Sequence, residues 1–283
     1  MARPQSGIVP PPLYHNRIQV FEILDLPMTS MTVGQFSVMI PGLGHQLAQS
    51  NSPEEMRVTV GFGFMFWTLA WHGMTPRLFK PFETLESGDN EIIEVEGDLL
   101  VHYTSSSQKL IEELIQKVEN NLKGLVDLVV DHELHWDKQL DADQKIPGDI
   151  WVSNDEAEFS KGTFMLHLEM EHHHKFSKPL VHSLYSLLEA REMSDRVMIR
   201  VMDINEDEKK GTYLQLFHQN SDKLDAFLED WLEQDQPHVL GIGEGEISVR
   251  AIRFFVPSLD VLTGLRQGGI RMNRFSQTRQ WKE

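Results

Sequence analysis

Apolar positions alternate with polar ones, then recur at helical spacing, then alternate again, and this cycle runs twice along the chain. Arg17 to Leu24 (RIQVFEIL) and Arg57 to Phe64 (RVTVGFGF, with Val58, Val60 and Phe62 on one face) read as strands. Between them, Gly34 to Gln49 has helical spacing, but Pro41 and Gly42 inside it predict a kink or two short pieces. Gly97 to Tyr103 is a further strand. Ser106 and Ser107 then offer an N-cap to a helix carrying Leu110, Leu114, Ile115, Val118 and Leu122, with Gly124 as its C-cap. Val126 to Trp136 is again a strand, and the polar stretch from Asp137 to Ser160, with Pro147 and Gly148, reads as an interdomain connection.

The second half repeats the order. Strands are predicted over Gly162–Met170, Val197–Ile204, Thr212–Phe217 and Ile247–Val256, and helices over Lys178–Glu192 and Asp222–Gln234. At an offset of 114 the string LLVHYTSSSQKL (Leu99 to Leu110) lies over YLQLFHQNSDKL (Tyr213 to Leu224), an internal repeat. Each half is thus βαββαβ, the ferredoxin-like motif, whose sheet carries its helices on one face and leaves the other to be covered. The expected fold is α+β, a tandem of ferredoxin-like domains of the dimeric α+β barrel type packed sheet to sheet. The domains are placed at 1–150 and 151–283, with room for a ligand between a sheet and its helices.

Charge and composition narrow the function. Lys and Arg number 26 against 43 Asp and Glu, a formal charge of −17, so nucleic acid is not an expected partner. The one basic stretch is Arg266 to Glu283, read as an exposed terminus. Cysteine is absent, which excludes disulfides, thiolate nucleophiles and Cys-type metal centres. No signal-like segment and no apolar run of about 20 residues occurs, so a soluble, cytoplasmic protein with no membrane partner is expected.

Thirteen histidines make metal or haem ligation worth a search. On an extended Gly162–His173, Phe164, Leu166, Leu168 and Met170 share one face, and His167, Glu169, Glu171 and His173 the other. The second face could bind a divalent metal or simply be a solvated polar face. Glu206, Asp207 and Glu208 with Lys209 and Lys210 read as a charged hairpin loop, and GIGEGE (Gly241 to Glu246) precedes a strand instead of joining one to a helix, so it is not a nucleotide fingerprint. The run Gly61 to Trp71 (GFGFMFWTLAW) reads as core. No nucleophile elbow, Walker string or zincin helix is present.

Five strings in order resemble the dye-decolorising (DyP-type) haem peroxidase family. They are Gln5-Ser6-Gly7-Ile8, VGFGFMFW (Val60 to Trp67), the D-x-L-x-H strand at Asp98 to His102, the strand Gly162 to His172, and Phe255-Val256-Pro257-Ser258-Leu259. The resemblance implies the tandem fold, haem b bound in the C-terminal half by a proximal His, and a distal Asp from a G-x-x-D-G motif acting with a distal Arg on hydrogen peroxide. It also implies a homo-oligomer that oxidises a small-molecule donor. Arg200, in MIRVM, stands where the distal Arg is expected, or is an ordinary outward strand residue. The sequence departs from the family at the other two points. DKQLDADQKIPGDIW holds no G-x-x-D-G, Asp143 and Asp149 being only nearby carboxylates, and Met193 to Arg196 is too short for the proximal segment and has no His. His172, His174, His182 and His218 could substitute as ligands, although His182 resembles a non-ligand position of the family. Two readings stand, a haem peroxidase with an unrecognised ligand, or a haem-free, non-catalytic pseudoenzyme serving in binding or assembly; a small-molecule carrier without redox chemistry is a third, which nothing in the sequence selects.

Overall fold

The computed structural model describes residues 3–8, 12–87, 90–136, 161–171, 186–187, 197–205, 210–233 and 248–266. In chain order its elements are β1 (His15–Ile23), α1 (Leu26–Ser37), α2 (Ile40–Ser50), β2 (Met56–Phe62), α3 (Phe64–Ala70), β3 (Leu85–Ser87), β4 (Asn90–Glu94), β5 (Leu99–Ser105), α4 (Gln108–Leu122) and β6 (Val126–Trp136). The second half gives β7 (Gly162–Glu171), β8 (Met198–Asn205), β9 (Lys210–His218), α5 (Ser221–Glu233), β10 (Ser248–Pro257) and α6 (Leu259–Arg266).

The helical stretch before β2 is two pieces, as Pro41 predicts: it sits in the first turn of α2, where a missing N–H costs nothing. Gly124 follows α4 at φ 76°, a left-handed position open to glycine. The strand read over Arg57–Phe64 stops at Phe62, because the aromatic run turns into α3 at Gly63. A side chain there would come within 2.4 Å of the Gly97 carbonyl, so only glycine lets the two backbones approach. Phe66 and Trp67 are fully buried, and Trp67 donates its indole N–H to Met74 O at 3.0 Å, so this run is core as expected. The short β3–β4 hairpin and α6 were not anticipated. Of the helix expected over Lys178–Glu192, only Ser186 and Leu187 are among the described residues, and both are helical.

The sheet runs β2-β5-β1-β6-β8-β9-β7-β10-β4-β3, and β10 also pairs with β2. Eight strands therefore close on themselves as a barrel, with β4 and β3 appended beside β10. The first-half quartet, read β6-β1-β5-β2, and the second-half quartet, read β10-β7-β9-β8, share one order: fourth, first, third, second. They join at two short seams, β6–β8 (Leu134↔Ile204 to Trp136↔Met202) and β2–β10 (Phe62↔Phe255). The quartets thus meet at their edges as well as across an interior.

Alternation along the strands makes two apolar clusters. Ile18, Val20, Leu100, Met165, Met198, Tyr213, Phe217 and Phe254 belong to the cluster inside the barrel. Leu99, Val101, Tyr103, Leu166, Leu168, Leu214 and Leu216 point outward and pack with the helices. This parity corrects the repeat. At an offset of 114, inward Leu100 falls on outward Leu214, whereas an offset of 113 pairs inward Leu100 with Tyr213 and outward Val101 with Leu214. A shift of one residue exchanges the faces of a strand.

The halves also interlock outside the barrel. Phe79, from the connection after α3, packs 5.8 Å from Phe164 and 5.7 Å from Phe255. Buried Arg253 donates to Asp225 of α5 and, at 3.1 Å, to Pro81 O, while Lys80 pairs with Asp222 and Asp225 at 2.9 and 3.1 Å.

Candidate functional site

The inward positions near the barrel's waist are polar. Register places His167 of β7 beside Gln215 of β9, and Gln215 beside Arg200 of β8. In the other quartet, Thr59 of β2, His102 of β5, Ile18 of β1 and His132 of β6 form the corresponding row. His102, His167, Gln215 and Arg200 are each no more than 2% exposed.

Burial sets the protonation of this row. It drives the His102 imidazole down to about 3, helped by the charge of Arg200 and by His167. His167 is likewise lowered to about 3 by burial, against an opposing pull from Glu169. Both rings are neutral at physiological pH. Nε2 of His102, both ring nitrogens of His167 and the Gln215 carboxamide have no hydrogen-bond partner among the described residues. The His167 ring packs 4.4 Å from Tyr213, which also lies 5.4 Å from His132. His132 Nε2 lies 3.4 Å from Glu169 Oε1.

Arg200 faces inward, not outward, and its guanidinium lies over the Phe217 ring, 5.6 Å from the centroid. It donates to the Gly7 carbonyl at 2.6 Å and to the Ile8 carbonyl. His218 sits at the end of β9, where Nδ1 accepts the Asn220 N–H at 2.8 Å and shapes the turn into α5. His172, His174, His182, the stretch searched for G-x-x-D-G, the segment Met193–Arg196 and the GIGEGE string lie outside the described residues. The face carrying His167 and Glu169 is buried inside the barrel, not solvated. Among the described residues no group of three or more His, Asp or Glu is placed to hold a metal ion.

The structure therefore brings Arg200 and His167 together and keeps His218 apart. Sequence reading passed over His102, Gln215 and His132 as a set. The signal was available in the period-two alternation of β5, β6 and β9, but the offset of 114 placed Val101, not His102, over Gln215.

Residues 20–134 match the model of the family described as Dyp-type peroxidase, N-terminal. No curated protein matches the chain. Among solved structures, a putative dyp-type peroxidase protein from Shewanella oneidensis is 17% identical with a TM-score of 0.75, over 94% of this chain and 99% of that one. The encapsulated DyP-type peroxidase from Mycobacterium smegmatis is 17% identical with a TM-score of 0.71, over 93% and 98%. A variant of DypB from Rhodococcus jostii in complex with heme is 16% identical with a TM-score of 0.70, over 90% and 96%. At these identities the structures share the fold. No helix among the described residues is long and apolar enough to cross a membrane.

Proposed function

We propose that the chain is a member of the Dyp-type peroxidase family, whose N-terminal model residues 20–134 match, that it keeps the barrel with a degenerate haem site, and that it serves in binding or assembly without oxidising a donor by peroxide. The observation that carries this reading is the engagement of Arg200. Peroxide cleavage needs a cation open to the departing oxygen and a group to move its proton. Here the guanidinium is spent on two carbonyls of its own chain and stacked on Phe217.

The described residues do not fit a haem. His218 is used by its own turn, and His102 and His167 stand on strands in a barrel interior filled by Met165, Met198, Tyr213, Phe217 and Phe254. The two quartets are read as tandem ferredoxin-like domains meeting in the stretch around residue 150, and the protein as a cytoplasmic homo-oligomer.

A second reading, the active haem peroxidase, is favoured by the buried neutral imidazoles of His102 and His167, whose nitrogens are in the state that binds iron. The Rhodococcus jostii protein was solved with heme on the same fold. An absorbance titration of the purified chain with haem separates the two. The first reading expects no saturable Soret band and no peroxide-dependent oxidation of a dye. A stoichiometric band that is lost in His102→Ala or His167→Ala would overturn it.

A further inference from the structure

The β2–β10 seam is one residue pair long for a reason visible in the sequence. Continuing the register beyond Phe62↔Phe255 would set Val60 opposite Pro257, and proline has no N–H to give. The Gln5 side chain takes that place. Its Oε1 accepts the Val60 N–H at 2.8 Å, and its Nε2 donates to Val60 O and Pro257 O, each at 2.9 Å. The carboxamide thus reproduces a strand's donor and acceptor, and Gln5 is 1% exposed.

The flanking residues are held as closely. Arg3 pairs with Asp260 through its backbone N–H at 2.9 Å and its guanidinium at 2.7 Å, and its carbonyl accepts the Leu259 N–H at 2.7 Å. A side chain at Gly7 would meet Thr59 Oγ1 at 2.1 Å and the Thr59 backbone N at 3.0 Å, so the strap lies flush on β2. Ile8 is 1% exposed inside the barrel, and Arg200 holds the carbonyls on both sides of the Gly7–Ile8 link. Each position tests a different property: an amide, the absence of a Cβ, and an aliphatic side chain.

We propose that Val60, Pro257, Thr59 and Arg200 form a peptide-recognition cradle for a Gln-Xaa-Gly-aliphatic turn, which the chain's own residues 5–8 occupy in cis, closed by the Ile8 N–H on the Gln5 carbonyl at 2.9 Å. Arg200 is its positioning residue. Recognition here runs through the Gln5 carboxamide on backbone groups of β2 and β10 and through Arg200 on two carbonyls of the turn, and such hydrogen bonds do not require the segment to be covalently attached.

The test uses the full-length chain. In the wild type the tethered strap outcompetes any free peptide through its effective concentration. Gly7→Ala should release the strap, so that a fluorescently labelled peptide of residues 3–8 binds saturably, by anisotropy, to Gly7→Ala but not to the wild type. A labelled peptide with Glu for Gln5, or the addition of Arg200→Gln to the Gly7→Ala chain, should weaken binding by about ten-fold or more. If Gly7→Ala does not fold, Gln5→Glu in the full chain replaces it. Amide exchange at Val60 gives a second readout: it should accelerate in Arg200→Lys, whose single ammonium cannot serve both carbonyls. Binding of a scrambled peptide equal to that of the native one, no uptake by the released chains, or unchanged Val60 exchange would each overturn the proposal.

Discussion

His132 of β6 and Glu169 of β7 meet at 3.4 Å across the barrel interior, although β8 and β9 separate their strands in the sheet. The contact ties the two quartets together beside the short β6–β8 seam. Burial alone would raise the Glu169 carboxyl, but the hydrogen bond and charge of His132, with His167 and Arg250, hold it below its ordinary 4.5. A carboxyl depressed on folding contributes stability above its unfolded value and loses it as pH falls through the folded one. Thermal melts of the wild type should therefore lose stability below about pH 4.5 by a component missing in Glu169→Gln. Parallel curves for the two proteins would show that the pair is energetically silent.

Asp98 behaves in the opposite sense. Burial, with Glu22 and Glu96 nearby, raises its carboxyl from 3.8 to about 6 against the Ile23 N–H that it accepts at 2.8 Å. The folded chain then holds the proton more tightly than the unfolded one, so stability falls as pH rises from about 4 to 6 and stays lower above. Asp98→Asn keeps an acceptor for Ile23 and removes the buried charge. Its Tm should exceed that of the wild type at pH 7 and converge with it below pH 4, as read by circular dichroism.

Arg253 and Asp225 fasten the connection after α3 to the second half. The Arg253 side chain is 1% exposed, so removing its carboxylate partner leaves a buried charge. Asp225→Ala should cost about 3–5 kcal/mol in urea unfolding. Arg253→Met, which removes the charge and keeps the volume, should cost much less.

Gly63 ends β2 against the Gly97 carbonyl. Gly63→Ala forces two backbones apart and should destabilise by about 1–3 kcal/mol. Gly73→Ala is a useful contrast, because nothing lies within 4 Å of its added methyl and its cost comes from φ +80° alone.

Periodicity and punctuation, both local properties, determined most elements from the sequence. Alternation located the eight barrel strands, Pro41 divided the helical stretch after β1, and the βαββαβ repeat led to the paired quartets. The five family-like strings pointed to the family that residues 20–134 match. Side-chain direction at the waist was lost by a single residue of repeat offset, since only pairing with neighbouring strands fixes which face of β9 is inside. Polar residues on alternating positions look solvated in one strand, and it is closure of the barrel that buries His167, Glu169 and Arg200. A barrel type was expected, but where it closes was not legible, because its seams rest on contacts between residues as far apart as Gln5 and Pro257. The role of Gln5 needed the third dimension most: a side-chain amide replaces a proline's missing N–H only once the fold has brought the two ends of the chain together.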